Sequence, residues 1–364
     1  MNSVKVAIIG TVGVPNVYGG FEALAENLVK DKRFDSLVVC SAKSYPIRKK
    51  KFHFARLIYL PINANGIWSV PYDFVSALVS IVLGYKKLLF LGNSGAVFFP
   101  FIRIFFPWVT LYVNFDGIEH RRKKFRGLTR MFLRMCAWFV AVFSHHVIAD
   151  NTAVEEYLKN KFNLKSKLIG YGGDHVLSSN DSQELIPEGI KQADYDFNFR
   201  YFFGVCRIEP ENNIHLVLEA FESTGLNIVL VGNWEYSDYG RQLKSKYALR
   251  DGFYLLDPIY DLSVLRYLRE RSCGYIHGHS AGGTNPSLVE ALFFSAPILA
   301  FDCNFNRYTL NNIGLFFSDV QSLRSGIQLI DSGEAGTFDY TALRNIYSWK
   351  NICDEYYGLL NYSD

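Results

Sequence analysis

The chain has 364 residues, too many for one ordinary hydrophobic core, so two domains are expected. Hydrophobic residues make up 49% and charged residues 20%, which excludes a disordered chain, and aromatics reach 16%. The net charge of +3 hides an asymmetry: residues 1–172 carry 24 Lys and Arg against 10 Asp and Glu, whereas residues 173–364 carry 14 against 25. A basic half attracts nucleic acid, anionic lipid head groups or a diphosphate-bearing substrate. No nucleic-acid signature accompanies the charge, so nucleic acid is not an expected partner.

The N-terminus runs straight into an apolar strand, Lys5 to Gly10, so no signal peptide is expected. The loop TVGVPNVYGG follows, and residues from Phe21 to Lys30 have helical spacing. Its glycines do not form G-x-G-x-x-G, but the tandem Gly19-Gly20, beside Tyr18, permits a close backbone approach to a ligand. A tight turn with no ligand is the alternative. Strands are expected at Leu37–Cys40 and Ala55–Leu60, with the basic run IRKKK between them. Phe74 to Leu83 is apolar but too short to span a bilayer. Beyond it, AVFF and TLYVNF read as short strands around a connecting helix. The run MFLRMCAWFVAVF, preceded by RRKKFRGLTR, fits either a peripheral membrane contact or a buried helix under a solvated loop. TLYVNF delivers Asp116, Gly117 and Glu119 at a strand's carboxyl end, where open α/β sheets bind ligands. Acidic residues there, Asp116 and Glu119, are unusual for mere packing and are candidate ligand contacts; pairing with Arg121 or Arg122 is the alternative.

His146–Ala149 reads as a strand, and Asn151-Thr152 caps the helix TAVEEYLKNKF. The first domain is expected over 1–174, followed by a polar linker. A second domain over 197–340 opens with YFFGVCRIEPENN, placing Arg207 after a strand; a plain surface arginine is the alternative to a functional one. Asn233 follows a further strand. The most informative stretch is YIHGHSAGGTNPSLVEALFFSAPILAFD, a strand, a glycine-bearing turn, a helix from Pro286 and another strand. Thr284 or Asn285 can cap that helix, whose N-terminus, at Pro286–Ser287, is expected to face a phosphate. Glu290 lies one turn in, where its carboxylate could accept sugar hydroxyls. His277 and His279 alternate without a nearby acid cluster, so no metal is expected, and His279 reads as a loop residue near a ligand. The six cysteines form no C-x-x-C pair and read as reduced, buried thiols. The tail, 341–364, reads as one amphipathic helix.

Three strings, VYGGFE, the Arg207 segment and GGTNPSLVEAL, resemble retaining GT-B glycosyltransferases, and the last resembles bacterial rhamnosyltransferases of capsule and O-antigen assembly. The resemblance implies an α/β fold of two Rossmann-like domains with parallel sheets facing a central cleft, the tail packing back on the first. It implies transfer of a sugar, with retention, from a nucleotide-diphosphate donor, favouring deoxythymidine-diphosphate rhamnose, to a lipid-linked glycan. The enzyme would act as a peripheral protein at the inner face of the cytoplasmic membrane. The donor is a co-substrate, and no cofactor is implied. Tyr18, Gly19, Gly20, Asn233, His279, Gly283, Thr284, Asn285, Ser287 and Glu290 would bind substrate, with Asp116 (or Glu119) and Arg207 in catalysis. A string similar to D-G-x-E faces the acceptor in the rhamnosyltransferases, which makes Asp116 or Glu119 the candidate to position or deprotonate the acceptor hydroxyl. Arg207 matches the arginine whose guanidinium fork suits the donor's pyrophosphate. Two departures stand out. Relatives carry two glutamates spaced as Gly282 and Glu290 are, and many carry a lysine where this chain has Asn212. The missing carboxylate contact is either absent or replaced by the amides of Gly283 and Thr284. Alternatives are another donor, such as a uridine- or guanosine-diphosphate sugar, a nucleotide-sugar epimerase, or a non-catalytic scaffold with a decayed site.

Overall fold

The computed structural model describes residues 3–16, 19–115, 117–118, 120, 122, 125–177 and 197–361. It divides into two compact units, Met1–Tyr171 with Trp349–Asp364, and Gly172–Ser348.

In the first unit the elements run β1 (Val4–Ile9), α1 (Gly20–Lys30), β2 (Phe34–Ser41), β3 (Lys51–Phe52), β4 (Ala55–Leu60), α2 (Ser69–Val82), β5 (Lys87–Leu91), α3 (Phe99–Phe105), β6 (Thr110–Phe115), α4 (Gly127–Phe143), β7 (His146–Ala149), α5 (Thr152–Phe162) and β8 (Lys167–Leu168). The sheet order is β3-β4-β2-β1-β5-β6-β7-β8. All pairs are parallel except the short β3–β4 ribbon. β1 is the centre: Val6, Ala7, Ile8 and Ile9 are all buried, as helices on both sheet faces require of an unbroken apolar strand. The strand order winds outward in opposite directions from β1 and β5, so the loops after these two parallel strands form the unit's switch point.

The segment AVFF is not a strand. Ser94–Phe98 is a 3₁₀ turn that runs into α3, with Pro100 in the helix's first turn; the strand is the preceding KLLFL, β5. Only KLLFL reaches β1 and β6 in register, Leu89 opposite both Ile8 and Tyr112.

The second unit contains β9 (Tyr201–Val205), α6 (Ile214–Phe221), β10 (Asn227–Val231), α7 (Asp238–Tyr247), β11 (Phe253–Leu256), α8 (Leu262–Arg271), β12 (Gly274–His277), α9 (Pro286–Ala291), β13 (Ile298–Phe301), α10 (Asn304–Thr309), β14 (Leu315–Phe317), α11 (Val320–Asp331) and α12 (Thr341–Ile346). The six strands are parallel in the order β11-β10-β9-β12-β13-β14, the doubly wound order, with its switch point between β9 and β12.

The tail is two helices, not one. Arg344 on α12 donates to the carbonyls of Leu292 and Phe294, at 2.6 and 2.9 Å, which ties α12 to the second unit. The return to the first unit begins at Trp349 rather than at 341. There α13 (Trp349–Asn361) buries Trp349, Ile352, Cys353, Tyr356 and Leu360 in the core around β1. Asn114 Nδ2 donates to the buried Tyr356 hydroxyl at 2.7 Å, and Arg33 pairs with Asp354 at 2.7 Å.

Candidate functional site

The chemistry-bearing residues of the second unit gather at the carboxyl ends of three neighbouring strands. Arg207 follows β9, Asn233 follows β10, and His279 follows β12. The strand ends crowd together: a Cβ on Gly278 would collide with the Asn212 carbonyl, so glycine is required for β12 to turn there. Arg207 is exposed, its side chain 55% accessible, and its guanidinium has one long contact, 3.9 Å to Glu209. Asn233 is likewise exposed.

Asn212 is buried and structural. Its Nδ2 donates to the Arg207 carbonyl at 2.5 Å, which leaves Oδ1 to accept from His279 Nδ1 at 2.5 Å. An amide oxygen only accepts, so His279 carries its proton on Nδ1. The loop is clamped further by Ser280, whose N–H and hydroxyl both donate to the Glu211 carbonyl, and by Asn306 Nδ2 donating to the His279 carbonyl. Gly282 stands at φ +126°, and a Cβ there would lie 3.1 Å from His279 Nε2. Position 282 is therefore shaped for glycine in this chain.

The helix amides expected to face a phosphate are not on offer. Pro286 has no N–H, and the Ser287 N–H donates to Asn285 Oδ1 at 3.0 Å, as does the Ser287 hydroxyl at 2.8 Å. The amides of Leu288 and Val289 go to the Asn285 carbonyl. Asn285 caps α9 so fully that donor capacity moves into the loop. Among the described residues the half-buried amides of Gly282 and Gly283 have no partner. Thr284, beside them, is buried.

Glu290 is not an isolated carboxylate. Arg269, on the last turn of α8 and only 2% exposed, pairs with its Oε2, and His175 Nε2 lies 3.4 Å from Oε1. Burial pushes the Glu290 carboxyl up, but the Arg269 guanidinium and then His175 outweigh it and hold the group below the usual carboxylate range. Two contacts leave lone pairs on the carboxylate for a hydroxyl. Arg269 Nε and Nη1 and the Tyr275 hydroxyl are buried without hydrogen-bond partners among the described residues, as is His277 Nε2. Burial, then the neighbouring His279, drives His277 well below the ordinary histidine range. Sequence reasoning missed Arg269 and His175. The one signal was an arginine among Val264, Leu265 and Leu268 on the buried face of α8.

In the first unit, Gly19 and Gly20 open α1, Gly19 as its extended N-cap residue. The buried Glu22 pins the preceding loop, accepting from the Thr11 hydroxyl at 2.9 Å and the Val12 N–H at 2.8 Å. Tyr18, Asp116 and Glu119 lie outside the described residues.

A domain family described as a domain of unknown function (DUF1972) matches residues 3–174. Among curated proteins none matches the sequence. Solved structures do resemble it. Sucrose-phosphate synthase from Thermosynechococcus elongatus is 16% identical, with a TM-score of 0.77 over 98% of each chain. A glycosyltransferase from Rickettsia africae is 12% identical, with a TM-score of 0.71 over 100% of each chain. HepE of Anabaena in complex with UDP-glucose is 16% identical, with a TM-score of 0.69 over 98% of this chain and 99% of its own. The fold is thus GT-B, α/β with two Rossmann-like parallel-sheet domains.

Proposed function

We propose that this protein is a glycosyltransferase that moves a sugar, most favourably L-rhamnose from deoxythymidine-diphosphate rhamnose, to a lipid-linked glycan, with retention at the anomeric carbon. The observation that carries the reading is the grouping of an exposed Arg207, the Gly282–Gly283 amides and the Asn212-held His279 around the second unit's switch point. A guanidinium after one strand and free backbone donors after the neighbouring strand suit a leaving diphosphate, whose growing charge they stabilise in the transition state. HepE, of the same fold, is named in complex with UDP-glucose, which supports a nucleotide-sugar donor. The string GGTNPSLVEAL supports rhamnose, and its resemblance is the reason for preferring thymidine over uridine or guanosine. Glu290, already oriented by Arg269, holds the donor's ribose or deoxyribose. No pair of acids flanks the sugar in the sequence pattern, so displacement proceeds from the front face, assisted by the leaving phosphate, without a covalent glycosyl-enzyme. Asp116 or Glu119 positions or deprotonates the acceptor hydroxyl.

The chain would work at the inner face of the cytoplasmic membrane, where lipid-linked acceptors of surface polysaccharides sit. Thermal melting against a metal-free panel of nucleotide sugars and bare nucleotides tests the donor. A ligand at about a hundred times its Kd contributes about 2.7 kcal/mol. Stabilisation by thymidine-diphosphate rhamnose, absent in Arg207→Ala, supports the reading; stabilisation by uridine nucleotides alone overturns rhamnose; silence across the panel overturns the donor site.

A further inference from the structure

Among the described residues an exposed apolar surface lies on α4 in the first unit. Leu128, Met131, Met135, Trp138 and Val142 recur every three or four residues, so they form one stripe along the helix. All five are exposed, Leu128 by 79%, Met131 by 64% and Trp138 by 49%. The opposite face, with Cys136, Ala137 and Val140, is the buried one. The helix is thus apolar on both sides, although one side faces solvent. A helix held only by its core contacts has no reason to carry Trp and Met outward at helical spacing. Arg130 and Arg134 are exposed beside the stripe, and the helix carries no acidic residue. The neighbouring α3, which packs against α4, adds exposed Ile104 and Phe105, and Trp108 follows it. No described helix is long and apolar enough to cross a membrane.

We propose that α4 lies flat in an anionic bilayer surface, its stripe sunk among the acyl-chain ends and Arg130 and Arg134 on the phosphates. Trp and Met stripes flanked by arginine are the make-up of helices that rest in that interface. The charge on the first half of the chain, 24 basic against 10 acidic residues over 1–172, adds attraction of the same sign. A second copy of the chain fits worse. Two-fold pairing through the stripe would bring the arginines of one copy near those of the other, with no acid on the helix to offset them. This deepens the membrane-side part of the proposed function and rests on that part alone, not on the donor chemistry.

The test is flotation of the full chain with phosphatidylcholine vesicles, with and without phosphatidylglycerol, in the absence of donor. Binding to the anionic vesicles only, weakened by salt, is expected. Arg130→Glu with Arg134→Glu should weaken it by about thirtyfold or more. Met131→Glu with Trp138→Glu should weaken it by more than about tenfold. Leu249→Glu, an exposed leucine in the second unit, should leave it unchanged. Each variant should keep the parent's melting temperature and donor-induced stabilisation, since the mutated side chains are exposed. Failure to bind anionic vesicles, or binding indifferent to both pairs, overturns the surface. So does a dimer in sedimentation equilibrium that Met131→Glu with Trp138→Glu abolishes. A protein that binds vesicles but no nucleotide sugar overturns the transfer reading and leaves this one standing.

Discussion

Substituting Gly282 by glutamate and Asn212 by lysine, the residues expected from the GT-B resemblance, should damage this protein. Gly282→Glu forces a side chain onto a backbone at φ +126°, 3.1 Å from His279 Nε2. Such a conformation costs an L-residue about 1–3 kcal/mol. Asn212→Lys removes the acceptor of the His279 N–H and the donor to the Arg207 carbonyl, at a buried position. A buried donor left without its acceptor costs about 1–3 kcal/mol. The double variant is therefore expected to lose about 2–6 kcal/mol. For a unit of this size that lowers the melting temperature by roughly 5–20 °C. Scanning calorimetry reads the loss, and melting with the nucleotide-sugar panel reads the site; Gly282→Ala isolates the backbone part. A double variant as stable as its parent that takes donor better would refute the reasoning, and would mean a decayed site rather than a reshaped one.

Three further outcomes follow from buried charges and the exposed arginine. Burial pushes the Asp73 carboxyl up to about 7, against the hydrogen bonds from Ser94 and Gly95. Between its unfolded value near 3.8 and about 7 the folded chain alone holds this proton, so stability falls as pH rises through that window. Asp73→Asn should flatten this slope and gain up to about 4 kcal/mol at pH 8, less the cost of an unpaired amide; equal slopes in a pH series of denaturant melts contradict it. Arg269→Met strands the Glu290 carboxylate and should cost about 3–5 kcal/mol, most of it recovered with Glu290→Leu. A double variant no more stable than the single in the same melts contradicts that coupling. Glu290 is held low, so stability from this pair is present above the ordinary carboxylate pKa and lost as pH falls through the lowered one. Arg207→Ala removes charge-assisted bonds of about 1.5–3 kcal/mol and should weaken donor binding by about 10–150-fold in calorimetry without lowering stability; unchanged affinity contradicts the assignment.

The sheets were legible where burial on both faces leaves an unbroken apolar run, as in β1, β2 and β6. The same rule misled at AVFF, since an apolar run looks alike in a strand and in a buried turn, and Pro100 opened a helix instead. The tail looked like one helix because its apolar spacing continues; only the anchoring of Arg344 to the Leu292 and Phe294 carbonyls shows where it breaks. In the candidate site, the positions of Arg207 and His279 just after strands β9 and β12 were legible in the sequence, since both follow short apolar runs. The Asn212–His279 and Arg269–Glu290 pairs were not, since their members meet only once β9, β12 and α8 are assembled. A cap by Thr284 or Asn285 was visible in the sequence; that it is Asn285, and that the helix amides are thereby used up, needed the hydrogen bonds.

The central claim is sugar transfer, and the most direct measurement is release of nucleoside diphosphate from thymidine-diphosphate rhamnose with membranes carrying lipid-linked glycan, followed by the anomeric configuration of the product. The account predicts release that requires acceptor, survives a metal chelator, disappears in Arg207→Ala and yields the donor's own anomer. A folded protein that releases no diphosphate from any nucleotide sugar, with acceptor membranes present, would contradict it.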